Sequence, residues 1–128
     1  MTTRYVLDAS ALLAVLLTEP GANKVLRYMQ GALLSCVNLA EVTTRAIDLG
    51  KPLEDTLRQI NRLPLHIVSY DAEQAHITAS LRPASKQFGL SLGDRACLAL
   101  GVARQATIIT GDREWKNLKT NIKIIVFR

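Results

Sequence analysis

Short aliphatic runs alternate with longer stretches of helical spacing along the whole chain, and few folds accept that pattern. The runs are Arg4–Leu7, Ala32–Ser35, His66–Ser69, Thr107–Ile109 and Ile122–Phe127. A short continuous apolar run reads as a strand covered on both faces, whereas a strand with one wet face alternates polar and apolar residues. The intervening spacing predicts helices from Ser10 to about Leu17, Ala22 to Gln30, Asn38 to about Leu49 and Leu53 to Leu63. Two more follow, one capped by Asp71 and running to about Leu81, the other from Ser91 to about Ala103. Ala84–Leu90 reads as a loop, and a short helix over Arg113–Leu118 carries Trp115 as a packing anchor. Strands that alternate with helices imply a parallel sheet between helical layers, joined by right-handed crossovers. The expected fold is α/β: one three-layer α/β/α domain over residues 1–128 with a five-stranded parallel sheet.

Composition narrows the function classes. Of the 128 residues 48% are apolar but only 5% aromatic, so aliphatic side chains must build the core. No apolar run approaches the ~20 residues that span a bilayer, and the amino terminus lacks a signal-peptide pattern. A cytoplasmic protein with no membrane partner is expected. Cys36 and Cys97 are far apart, without CxxC spacing, and read as buried free thiols. His66 and His76 have no metal-site spacing. The net charge of +5 favours an anionic partner. Arg113, Lys116, Lys119, Lys123 and Arg128 crowd the last stretch of the chain, countered there only by Glu114.

In parallel α/β sheets, ligands bind at the carboxyl ends of the strands. Asp8 follows the first predicted strand, with Ser10 placed to cap the next helix. Glu41 and Asp94 stand in the first turns of predicted helices, and Asp112 follows the fourth strand in Thr110-Gly111-Asp112. Each acid also has a purely structural reading. Asn38 to Glu41 and Ser91 to Asp94 both have capping-box spacing, and Asp8 and Asp112 suit turns. What those readings leave unexplained is the shared edge. Four carboxylates there repel unless a cation neutralises them, and all-oxygen donors favour Mg²⁺ or Mn²⁺.

Other chemistry is poorly supported. Neither GxGxxG nor GxxxxGK[ST] is present, nor a GxSxG elbow. A phosphoaspartyl enzyme of the haloacid dehalogenase type places a second Asp two residues after the first, where this chain has Ser10. A metal-free binding module of the same fold is the other rival, separated by metal dependence.

Four segments together carry a resemblance: Val6-Leu7-Asp8-Ala9-Ser10-Ala11, Asn38-Leu39-Ala40-Glu41-Val42, Leu90 to Leu100 with Ser91-Leu92-Gly93-Asp94-Arg95, and Thr110-Gly111-Asp112-Arg113. In order and spacing the chain resembles PIN-domain proteins, most of all the VapC-type toxins of toxin–antitoxin pairs. The resemblance implies that Asp8, Glu41, Asp94 and Asp112 form the acidic quartet that holds Mg²⁺ or Mn²⁺ and catalyses endonucleolytic RNA cleavage. It implies that Ser10, Asn38 and Thr110 arrange metal and water. Its partners would be an RNA substrate, a VapB-like antitoxin in a hetero-oligomer, and a second copy in a homodimer, in a bacterial or archaeal cytoplasm. Lys86, Arg95, Arg113 and Lys116 are candidate RNA contacts. Glu114, where relatives often carry a small residue, is a departure that either joins the metal site or caps the last short helix. The stripe Val42, Ala46, Leu49, Leu53, Leu57 and Ile60 reads as core, with some of it left for a partner.

Overall fold

A computed structural model describes residues 3–128. In chain order the elements are β1 (Tyr5–Leu7), α1 (Ala9–Leu16), α2 (Ala22–Tyr28), β2 (Ala32–Ser35), α3 (Cys36–Asp48) and α4 (Leu53–Asn61). They continue with β3 (Leu65–Val68), α5 (Ala72–Ser80), α6 (Arg82–Ser85), α7 (Leu92–Arg104), β4 (Thr107–Thr110) and β5 (Ile124–Val126). Short 3₁₀ turns cover Lys86–Phe88 and Arg113–Asn117. The strands form one five-stranded sheet in the order β3-β2-β1-β4-β5, and every pair is parallel. No helix among the described residues is long and apolar enough to cross a membrane.

Register decides what each strand residue buries. Val6 pairs with Leu33 on one side and Ile108 on the other, and Ile108 pairs with Ile124. Side chains alternate across a strand, so this row shares one face. It meets Cys97, Leu98, Leu100 and Trp115 in one core. The neighbouring row, Leu7, Leu34 and Ile109, packs instead with Leu12, Val25, Val42 and Ile60 from α1 to α4. β2 and β4 are buried along their whole length, which is why their sequences are continuous apolar runs rather than alternating ones. β3 lies at the edge, and His66 and Ile67 on it are exposed. Trp115 is the anchor expected of it, being 1% exposed.

Several boundaries differ from the sequence reading for local reasons. Ser10 is not the cap of α1. Asp8 is, its carboxylate accepting from the Ala11 N–H at 2.8 Å, because the helix begins one residue earlier. α3 likewise opens at Cys36 rather than Asn38, capped by the Ser35 hydroxyl. Asn38–Glu41 is therefore inside the helix and is no capping box. Arg82–Phe88 winds into α6 and a 3₁₀ turn where a loop over 84–90 was expected, since Pro83 is favourable in a first helical turn. β5 is shorter than Ile122–Phe127, and β3 begins one residue early. The α3–α4 stripe divides: Val42, Ala46 and Ile60 are buried, whereas Leu49, Leu53 and Leu57 are exposed beside Ile47.

Candidate active site

The sheet places a crevice where its strand order turns back. From β1 the chain proceeds outward through β2 and β3, then returns to add β4 on the other side of β1. Ligands bind at such switch points, outside the carboxyl ends of the strands. Asp8 immediately follows β1, and Thr110 ends β4.

Asp8 is only 5% exposed, yet well hydrogen-bonded. Oδ1 accepts from the Ser10 hydroxyl at 2.6 Å and from the Ala11 N–H, and Oδ2 accepts from the Thr110 hydroxyl at 2.5 Å. On balance the carboxyl is raised to about 6: burial drives it up, these three donors pull it down, and the Asp94 charge adds to the rise. The same donors tie in the fourth acid. Thr110 Oγ1 accepts from the Asp112 N–H, and Ser10 Oγ accepts from the Gly111 N–H, both at 3.0 Å.

Glu41 approaches from α3. Its Oε1 accepts from Asn38 Nδ2 at 2.7 Å, and the same amide nitrogen donates to the Gly93 carbonyl at 3.0 Å. Gly93 leaves room for this approach, because a Cβ there would collide with the Glu41 carboxylate. Asp94, the next residue of α7, closes a capping box: its Oδ2 accepts from the Ser91 N–H, and its own N–H donates to Ser91 Oγ. Asp112 Oδ1 accepts from the Glu114 N–H and caps the 3₁₀ turn. The structural readings of Asp8, Asp94 and Asp112 as caps are thus realised. Capping and a shared site coexist, since a carboxylate has about four lone-pair directions.

Cys97 reports the shared field. It lies one helical turn beyond Asp94, fully buried, and its thiol is pushed well up by burial and then by the charges of Asp8, Asp94 and Glu41. Three of the four acids therefore act on one interior point. The fourth, exposed Asp112, reaches Asp8 through Thr110.

The donor set is chemically suited to a hard divalent cation, being oxygen throughout. Asn38 Oδ1 adds a buried polar oxygen without a hydrogen-bond partner. As the side chains stand, no three acidic, His or Cys side chains among the described residues close on a common point as a metal group would. Asp94 and Asp112 are turned toward their caps, so holding a cation means sharing or leaving those bonds.

The candidate RNA contacts lie on three elements, with Arg113 and Lys116 sharing the 3₁₀ turn after β4. Lys86 and Lys116 are exposed. Arg113 is exposed too, with its Nε donating to the Arg128 carbonyl. Arg95 is half-buried, its NH1 donating to the Thr78 carbonyl of α5, so that side chain faces a helix interface. Glu114 is exposed, and its N–H serves the Asp112 cap. Sequence reasoning missed the roles of the glycines. Gly93 admits Glu41, and Gly111 admits Arg128, whose Nε lies 2.9 Å from where a Cβ would stand. The available signal was a glycine directly beside an acid at each place.

The PIN-domain family model matches residues 5–121. The chain belongs to the PIN-domain family. Solved structures share its PIN fold at low identity. One is a toxin–antitoxin complex from Klebsiella pneumoniae: 17% identity, 97% of this chain and 98% of that chain covered, TM-score 0.77. Another is VapBC2 from Rickettsia felis bound to a promoter DNA fragment: 19% identity, 98% and 100% covered, TM-score 0.74. A third is VapC20 of Mycobacterium tuberculosis, described as a sarcin–ricin loop cleaving toxin: 11% identity, 88% and 93% covered, TM-score 0.72. No curated protein matches the chain in sequence.

Proposed function

We propose that this PIN-domain chain, acting as one domain over residues 1–128, is the VapC-type toxin of a toxin–antitoxin pair and cleaves RNA endonucleolytically with Mg²⁺ or Mn²⁺. The observation that carries this reading is Asp8: a buried carboxylate with its pKa raised to about 6, oriented by Ser10 and Thr110 at the β1–β4 switch point. A buried acid in a cleft with a perturbed pKa and a like-charged neighbour marks a functional site. The likeness to toxin–antitoxin structures supports the substrate class and the partner.

A bound divalent cation would supply Lewis acidity at phosphate oxygens and ease deprotonation of the attacking water. Asp8 and Asp94 are its main holders in this reading, with Glu41 and Asp112 completing the set. Ser10, Thr110 and the Ala11 N–H fix the Asp8 carboxylate and would present it to a cation already oriented. Asn38 holds Glu41 against Gly93, on the opposite side of the crevice from Thr110. The antitoxin would cover this crevice, and a second copy would complete a homodimer, in the cytoplasm of a bacterium or archaeon. The exposed apolar side chains Ile47, Leu49, Leu53 and Leu57 supply contact surface for such partners.

The capped carboxylates of Asp94 and Asp112 favour one alternative, a metal-free binding module. One experiment separates the two. Purified protein is incubated with total RNA in Mg²⁺ or Mn²⁺, beside EDTA and Asp94→Asn controls. Discrete fragments that vanish in both controls are expected. Intact RNA with metal-loaded, antitoxin-free protein would leave the binding module.

A further inference from the structure

A groove of about 620 Å³ lies along the edge strand β3, away from the acids. Leu33 and Val68 line it on the sheet face that packs against α7. Arg4, His66 and Arg104 also line it, with Asp71 as the one acid. That acid is already engaged: its carboxylate accepts from the Gln74 N–H at 2.9 Å as the cap of α5. Neither arginine has a carboxylate partner, since the ion pairs among the described residues are Arg58–Asp55 and Arg128–Glu19.

Local structure accounts for only one of these cations. Arg104 stands in the last turn of α7, where the helix dipole favours positive charge. Arg4 precedes β1, and its carbonyl accepts from the Thr107 N–H, which leaves the guanidinium without a structural role in the sheet's hydrogen bonding. Two exposed guanidinium groups lining one groove, with the only lining acid engaged as a cap, give it a positive potential that favours an anion. Their planar forks match the oxygens of a phosphate. The groove is far roomier than one carboxylate needs. Its lining runs from Arg4, before the amino end of β1, to Asp71, beyond the carboxyl end of β3. That latter end lies on the same sheet edge as Asp8, about 10 Å away at the usual spacing of two strands.

We propose that this groove is a phosphate-binding exosite, in which Arg4 and Arg104 hold the backbone of an RNA strand beyond the segment lying at the acids. His66 offers a ring on which a base can stack. The proposal rests on the ribonuclease reading above and adds to it a second, non-catalytic contact with substrate.

The test measures RNA binding in the Asp94→Asn background, where substrate stays whole. Two double variants with equal charge loss are compared: Arg4→Gln/Arg104→Gln in the groove, and Arg58→Gln/Arg62→Gln on α4 and its end. All four side chains are exposed, and thermal melts check that the fold is kept. For a long single-stranded RNA the groove variant should bind about tenfold more weakly, with a log–log salt slope shallower by about 1.4 for two lost phosphates. The α4 variant should keep the parent slope, and a dinucleotide should bind both alike. An unchanged slope for the groove variant overturns the exosite, as does equal loss in both doubles. So does a loss confined to binding of polyglutamate, which would assign the groove to an acidic peptide. If the metal-loaded parent cuts no RNA, the ribonuclease reading itself fails. If it cuts RNA and the groove variant binds as the parent does, only the exosite fails.

Discussion

Gly93 and Glu41 are in such close approach that the space of a single methyl group on one is filled by the carboxylate of the other. Stability and activity should therefore part company in Gly93→Ala. Alanine inside a helix is intrinsically better than glycine by about 1 kcal/mol. The group it meets is the movable end of an exposed side chain. The melting temperature should hold or rise while RNA cleavage falls at least about tenfold, the effect expected of displacing a group from the proposed site. Equal cleavage by parent and variant would show that Glu41 is not needed where it stands.

Asp8 gives a pH dependence of defined sign. Its folded pKa, about 6, lies above the ordinary 3.8, so its stabilising contribution is full below about pH 3.8 and is lost as pH rises through about 6. In metal-free protein the ionised group then costs on the order of 2–3 kcal/mol at neutral pH. Asp8→Asn should accordingly melt higher than the parent at pH 7.5 in EDTA, and the gap should close near pH 4. Mg²⁺ or Mn²⁺ should raise the parent's melting temperature and leave the variant's unchanged. Melts across pH, with and without metal, check both statements.

The capping box offers a way to separate structure from chemistry at Asp94. Ser91→Ala removes the cap hydroxyl and should lower stability by about 1 kcal/mol while keeping most of the cleavage. Asp94→Asn retains an oxygen for the Ser91 N–H and should change stability by less than about 0.5 kcal/mol. Its cleavage should drop by a factor of about 100 or more. Parallel losses in the two variants would make Asp94 a cap and nothing else.

Trp115, in the 3₁₀ turn after β4, is the largest fully buried side chain. Trp115→Ala should destabilise the fold by about 3–5 kcal/mol, as measured by urea unfolding. Because that turn is capped by Asp112, residual folded protein should also cleave poorly.

Much of this architecture was legible in the residues. β2 was found at its observed limits because a doubly covered strand is apolar throughout, and the parallel sheet followed from its alternation with helices. The caps were harder. Asp8 and Ser10 are both good capping residues two positions apart, and only tertiary contacts decide between them: Ser10 is drawn to Gly111, leaving Asp8 to cap. The α3 start was missed for a similar reason, as Ser35 closes a strand and opens a helix without a residue between. At the crevice, sequence indicated which acids share an edge. It had no means of giving their side-chain directions, or the glycine beside Glu41 that makes room for it. The Arg4–Arg104 groove was invisible because its cations lie a hundred positions apart, and only the fold, with α7 packed on the sheet and β1 paired to β4, brings both to one groove.

That pairing has a consequence for when the site exists. Asp8 and Thr110 are 102 positions apart. As a nascent chain leaves the ribosome, β1 can find β2 early, but its other neighbour, β4, is synthesised only after β2, β3 and α3 to α7. Contacts of such long sequence separation form slowly and late. Until β4 docks, Asp8 lacks the Thr110 hydroxyl, Ser10 lacks the Gly111 amide and Asp112 is nowhere near. A ribosome-bound or truncated chain ending before β4 thus lacks the assembled crevice by topology alone, and the Asp8–Thr110 contact forms only when β4 docks.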